Sequence, residues 1–278
     1  MRMRTRQTGV LLGLMGLGVL SVALVSTHAA AGEPGAAPPA LDEKLTGEQI
    51  VQKMLDSNRI GFESGEATIV MKLKTSQGSI LNRKMLARAS NKGGLQHTRM
   101  TFLEPQDQKG IEVLLLEQKK GGDLQYLYLP AAKRVRRMGG AAKNGRFQGS
   151  DFTYGDLESR DIKSGSYKRL ADEVYAKKPR YRIDVIPKAE PGQQYSKVEL
   201  WVDGKTWLPF KTVFYDRRGK KLKVLKTKRV KKIKGRYVPT KVTMRNVQEH
   251  SETVIEVGRI NSNAKYPDSL FAPDALGK

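Results

Sequence analysis

The stretch Ala67-Thr-Ile-Val-Met-Lys-Leu-Lys74 decides the fold. Ala67, Ile69, Met71 and Leu73 alternate with Thr68, Lys72 and Lys74, a period of two that places the apolar set on one face of a strand. Just upstream the period is different. Ile50, Val51, Met54 and Leu55 recur at i, i+1, i+4, i+5, which is a helical stripe suited to packing on a sheet. Thr46 stands at its N-cap with Gln49 at the capping-box position, and the helix is predicted to end near Asn58 or Gly61. Downstream the period of two returns and persists. Strands are predicted over 80–89, 99–103, 111–117, 124–129, 181–185, 198–202, 210–215, 222–227, 237–247 and 253–260. Turn residues separate them, including Thr75-Ser-Gln-Gly78, Asn91-Lys-Gly-Gly94, Asp203-Gly204 and Arg217-Arg-Gly219. About ten strands in succession, with few helical stretches between them, argue an antiparallel meander, curved or closed, and not βαβ units.

Composition bounds the chemistry. The 278 residues carry 51 Lys+Arg against 28 Asp+Glu, a net charge of +23, with three His and no Cys. The missing Cys excludes disulfides, thiol catalysis, Cys-ligated zinc and iron–sulfur clusters. Residues 1–31 read as a signal peptide. Arg2, Arg4 and Arg6 precede an uncharged run over 9–25, and Ala29 and Ala31 offer cleavage positions. Export to the periplasm or an extracellular space follows, and only three of the positive charges leave with the leader. Residues 32–44, rich in Gly, Ala and Pro, are expected to form a flexible lead, and 45–278 a single domain.

Motifs for catalysis are nearly absent. His97 and His250 leave a His-based triad formally open, but no G-x-S-x-G elbow, H-E-x-x-H or EF-hand pattern accompanies them. Asp151, Asp156, Glu158 and Asp161 could make a carboxylate pair or a hard-cation site. The reading taken is loop capping and solvated charge. The chain is therefore expected to be non-catalytic, with no metal and no cofactor.

Two basic segments stand out. Lys133, Arg134, Arg136 and Arg137 follow a strand, and Lys228, Arg229, Lys231 and Lys232 lie in a longer basic run over 217–236. No aromatic interrupts 219–235, so the stacking expected of a single-stranded nucleic-acid site is missing and nucleic acid is not expected as a partner. The remaining readings are contact with a partner or an anionic membrane surface, where each Lys or Arg contributes about 1 kcal/mol, and a plainly solvated hairpin face. Phe152 and Tyr154 flank one turn, and Trp201, Trp207 and Phe210 surround another. Such aromatics are core residues or the lining of an apolar container for acyl chains.

Leu129-Pro130, Lys133-Arg-Val-Arg-Arg137, and Gly149-Ser-Asp-Phe-Thr-Tyr-Gly-Asp-Leu157 together resemble the outer-membrane lipoprotein-sorting (LolA-like) family. Leu208-Pro-Phe210, Gly235-Arg-Tyr-Val-Pro239, Met244, the stretch 253–257 and Pro267-Asp-Ser-Leu-Phe271 extend the resemblance, which runs from about Leu45 to Leu276. It implies a mainly β (α+β) fold: a half-open antiparallel β-barrel with an N-terminal helix and short helices as a lid. It also implies a periplasmic carrier that holds lipid or lipoprotein acyl chains and meets an inner-membrane exporter and an outer-membrane acceptor. The cavity arginine with which family members regulate lid closure has no assigned match here. The alternative is a basic envelope-scaffold protein that binds anionic membrane or cell-wall surfaces without a stoichiometric lipid.

Overall fold

The computed structural model describes residues 41–57, 64–119, 121–158, 162, 165–189 and 192–278, so the signal peptide, most of the lead and Asp161 lie outside the described residues. One helix, α1 (Gly47–Ser57), precedes the strands β1 (Ser64–Lys74), β2 (Ile80–Lys92), β3 (Leu95–Glu104), β4 (Glu112–Leu116), β5 (Leu124–Leu129), β6 (Arg134–Met138), β7 (Ser166–Arg169), β8 (Glu173–Tyr175), β9 (Lys178–Ile186), β10 (Lys197–Val202), β11 (Pro209–Tyr215), β12 (Lys221–Ile233), β13 (Arg236–Asn246) and β14 (Ser251–Asn261). They form a single antiparallel sheet of 14 strands in the order β6-β5-β4-β3-β2-β1-β14-β13-β12-β11-β10-β9-β7, with β8 also on β9. β6 and β7 end the path without pairing to each other, so the barrel is half-open.

The expected strands are all present, and β6, β7 and β8 are additional. β6 reads Arg-Val-Arg-Arg-Met with four exposed residues, and β7 and β8 are short and largely uncovered. Strands this short, with one or two residues reaching the core, carry too little alternation to detect.

The capping box at the head of α1 is formed. Gln49 Oε1 accepts from the Thr46 amide at 2.8 Å, and Thr46 Oγ1 accepts from the Gln49 amide at 3.2 Å. The stripe Ile50, Val51, Met54 and Leu55 is buried against the inner face of the sheet, where Ile69, Met71, Met85, Phe102, Ile183, Leu200 and Met244 sit in the same core. Gly47 lies on β7: a Cβ there would stand 2.9 Å from the Arg169 amide nitrogen. At the other end of the helix, Arg236 Nη1 is 3.5 Å from the Asp56 carbonyl. The end of β7 and the start of β13 lie at the same end of the meander, so α1 crosses that end as a cover.

The lead is held rather than flexible where it is described. The Asp42 amide donates to the Tyr181 hydroxyl at 2.9 Å, and the Arg169 guanidinium donates to the carbonyls of Asp42, Glu43 and Leu45 at 2.9, 3.0 and 2.7 Å. The composition of 32–44 carries no sign of these two distant partners.

A second cover is the segment 139–158. It contains the Gly149–Leu157 block and lies on the inner face through buried polar contacts. Lys223 of β12 pairs with Asp156, and both side chains are 2% exposed. Asp156 also accepts from the Tyr195 hydroxyl at 2.6 Å and from the Thr153 amide at 2.7 Å. Asp151 accepts from Ser251 and, at 2.7 Å, from Thr253, both on β14. Glu158 pairs with Lys143 and accepts from Gln125 at 2.8 Å. These carboxylates are buried and satisfied, not solvated as the sequence reading held. Lys223, Ser251 and Thr253 come from strands distant in sequence, Tyr195 from the loop before β10, and Lys143 from the segment itself.

The outer face has its own covers. Phe271 and Leu276 pack on Leu114, and Arg99 makes a two-pronged pair with Glu112, at 2.8 and 2.7 Å from its Nη2 to the two carboxylate oxygens. The Leu270 carbonyl accepts from Arg99 at 3.2 Å, and the Gly277 amide donates to Glu112 at 2.8 Å. The Pro267–Phe271 block is thus a strap over β3 to β5.

Two outcomes are expected. Gly47→Val pushes α1 off β7, with an overpacking cost of about 1–3 kcal/mol, read as a lowered urea midpoint and faster amide exchange in α1; an unchanged midpoint contradicts the close approach. Lys223→Met leaves Asp156 buried without its cation, which costs about 3–5 kcal/mol. Lys223→Met combined with Asp156→Leu recovers much of that loss in the same denaturation experiment. A single variant as stable as the parent contradicts the role given to the pair.

Candidate functional site

The candidate site is the apolar interior beneath α1. Of the nine methionines in the chain, Met1, Met3 and Met15 belong to the leader region, and the other six are Met54, Met71, Met85, Met100, Met138 and Met244. All six lie in the one core cluster on the inner face. They come from α1 and from five different strands, each at an inward register position. A thioether on an unbranched, three-torsion side chain repacks at low cost, so this interior is deformable in a way that a Val/Ile core is not. Five of the six lie in the predicted stripe and strands, and Met138 lies in β6, which was not predicted. Their convergence depends on strands distant in sequence pairing into one half-open sheet.

The aromatics predicted to line a container do not share one surface. Phe152 and Tyr154 are in the main core, with Tyr154 edge-on to Phe147 at 5.6 Å and Phe147 against Phe102 at 5.9 Å. Burial raises the Tyr154 phenol above its ordinary pKa. Trp207 lies at the rim, stacked on Tyr181 at 5.7 Å, and Lys53 of α1 places its ammonium 5.1 Å from the Trp207 ring centre. Trp207 has φ +56°, a strained value for a bulky residue. Around it, Asp203 Oδ1 accepts from the amides of Lys205 and Thr206 at 3.2 and 2.7 Å and holds the loop.

Trp201 is on the opposite face of the sheet. Val198, Leu200 and Val202 face the main core, so Trp201 must point outward, where it packs with Val213 and Val224. Lys211 Nζ stands 3.5 Å from its ring centre, and burial lowers that lysine's pKa. Phe210 sits beside the bulge between β10 and β11, under the Arg180 guanidinium at 4.0 Å. Neither Trp201 nor Phe210 belongs to the methionine-lined interior.

The basic residues are surface features. Lys133 ends a short 3-10 turn in the left-handed region, and Arg134, Arg136 and Arg137 are exposed on β6. Lys228, Arg229, Lys231 and Lys232 are exposed near the β12–β13 turn, with Arg229 4.0 Å from Glu256. The two groups are on different strands, separated by most of the sheet. Lys223, from the same basic run, points inward to Asp156.

Among the described residues, no group of three or more His, Asp or Glu is arranged to hold a metal ion. His97 lies against Phe271 at 6.3 Å, and burial lowers its pKa. Among those residues, no helix is long and apolar enough to cross a membrane.

Comparison with known proteins places this architecture. A family model with the description "Uncharacterized protein" matches residues 94–278. No curated protein matches the chain. Among solved structures, an outer membrane lipoprotein-sorting protein domain from Vibrio parahaemolyticus is 29% identical with a TM-score of 0.77, covering 84% of this chain and 98% of its own. A DUF1329 family protein from Desulfovibrio piger is 24% identical with a TM-score of 0.77, covering 83% of this chain and 97% of its own. A LolA superfamily protein from Nitrosomonas europaea is 18% identical with a TM-score of 0.64, covering 84% of this chain and all of its own. The chain belongs to the family whose model matches it over 94–278, and with the half-open sheet, the helical cover and the sequence blocks in agreement its fold is LolA-like, similar to that of the outer membrane lipoprotein-sorting protein domain.

Proposed function

We propose that this protein is a periplasmic, non-catalytic carrier that takes lipid or lipoprotein acyl chains into the interior beneath α1, after removal of the leader over residues 1–31. The observation that carries the reading is the convergence of all six methionines outside that leader region on one apolar core covered at one end by the short helix α1. The relative from Vibrio parahaemolyticus, described as a lipoprotein-sorting domain, supports it.

The physics is an exchange. Each methylene kept out of water is worth about 0.8 kcal/mol. The 11 residues of α1 are too few for a stable isolated helix, so its apolar stripe stays in place through packing. An acyl chain that enters the core replaces that packing with its own while α1 shifts outward. No nucleophile, metal or cofactor is needed. Phe152, Tyr154 and Trp207 are the aromatics placed to touch the cargo. The stack of Trp207 on Tyr181, with Lys53 and Arg169 around it, is the clasp that opens. The exposed cluster Lys228, Arg229, Lys231 and Lys232 is the surface offered to an anionic membrane during delivery, where the exporter and acceptor reside. Its exposure also supports the second reading, an envelope scaffold held by charge alone.

The mature protein, produced with its own leader and recovered from the periplasm, is expected to carry fatty-acyl lipid by mass spectrometry. Once delipidated, it should bind a fluorescent fatty acid saturably at one site. Absence of both, with salt-sensitive adsorption to anionic vesicles, contradicts the carrier and favours the scaffold. Trp207→Ala should raise the release rate about fivefold, the equivalent of a stacking contribution of about 1 kcal/mol; an unchanged rate places the clasp elsewhere.

A further inference from the structure

The two ends of the sheet are finished differently. β7 is four residues long, and its last residue is met by Gly47 at the start of α1. β6 has a paired side toward β5, and among the described residues no backbone group bonds to its other side. It is also the more exposed strand: Arg134, Val135, Arg136 and Arg137 are all open to solvent, with Val135 40% exposed. Among the described residues, Arg134, Arg136 and Arg137 have no ion-pair partner, although the same sheet pairs Arg99, Arg169, Arg180 and Arg182 with carboxylates.

The register sorts these side chains. Arg134 and Arg136 stand opposite Leu129 and Leu127 on the inner face of the sheet, and Val135 and Arg137 stand opposite Tyr128 and Tyr126 on the outer face. Edge strands are commonly blunted by charged side chains, proline or a bulge, and the three arginines of β6 are such charges, which repel a basic strand and attract an acidic one. β6 has no lysine and no proline within it, and its register with β5 is unbroken over all five residues. Its cations are guanidiniums, whose fork matches a carboxylate two-pronged, where an ammonium is only a point charge.

We infer that β6 is a docking edge for an acidic, extended segment of a partner polypeptide, which adds to the sheet as a fifteenth strand. Main-chain hydrogen bonds supply the affinity and the alternating side chains the selection. Carboxylates at positions i and i+2 of the incoming segment meet Arg134 and Arg136, and an apolar residue at i+1 covers Val135. Arg137, on the other face with Val135, is not part of this selection. The inference does not rest on the acyl-chain reading: it uses the unpaired edge of β6 and its exposed Arg134, Val135, Arg136 and Arg137, whereas only Met138 of that strand is in the core.

The test uses the mature chain, residues 32–278, and a fluorescein-labelled peptide of alternating glutamate and valine about ten residues long. A control peptide has the same sequence with alternate amides N-methylated, so the charge is kept and one row of hydrogen bonds is lost. At about 50 mM salt, the parent peptide is expected to bind and to slow amide exchange at 134–138. The methylated peptide is expected to bind at least about tenfold more weakly. Arg134→Glu with Arg136→Glu, checked for an unchanged thermal midpoint, should lose the acidic peptide and accept a lysine–valine peptide instead. Four results would each overturn the inference: no binding, equal binding of the two acidic peptides, protection at 228–232 in place of 134–138, or protection of 134–138 by phosphatidylglycerol vesicles but not by the peptide. The last two would mark these cations as a charged or membrane-facing surface.

Discussion

The sheet does not close. β6 and β7 end the run of strands without meeting, and the rest of the structure answers that gap. Here the interior is covered by two segments that are not strands: α1 across one end, and 139–158 along the inner face. Each is attached by polar contacts. Arg169 and Tyr181 hold the approach to α1, and the buried Lys223–Asp156 pair with Asp151 on Ser251 and Thr253 holds the second segment. The pair is costly to break and adds little against an apolar alternative, so its role is to fix which strand the segment lies on.

The two covers differ in how firmly they are held. The segment 139–158 has buried charges that cannot be exposed cheaply. α1 has carbonyl contacts at its ends, a cation over an aromatic ring, and an apolar underside. Displacing α1 exposes hydrocarbon that an acyl chain can cover in turn. Displacing 139–158 leaves ions in a low dielectric. In the proposed carrier, this asymmetry would make α1 the moving part and the Gly149–Leu157 block a fixed floor, with the methionines between them adapting to the change of shape.

Much of this was legible in the sequence. The alternation in 67–74, the Thr46–Gln49 capping box and the turn residues are local signals, and each corresponds to the element predicted. Three things were not legible, for separate physical reasons. β6, β7 and β8 lie at or beside the edges, where no core face imposes alternation. Lys223 reads as one more residue of a solvated basic run, because only the folded chain brings Asp156 to it. Trp201 and Trp207 are six residues apart in one hairpin, yet strand parity puts Trp201 on the outer face, and the strained loop puts Trp207 at the rim beside α1.

The central claim is that the methionine-lined core receives the acyl chain. It is tested most directly by methyl NMR of the mature protein labelled at methionine, titrated with a long-chain fatty acid. The six methyl groups report on this interior and nothing else, because Met54, Met71, Met85, Met100, Met138 and Met244 all belong to it. The account predicts saturable shifts at most of the six, with contacts from the acyl chain to those methyls. Methyl resonances that stay in place while only surface amides respond would contradict it.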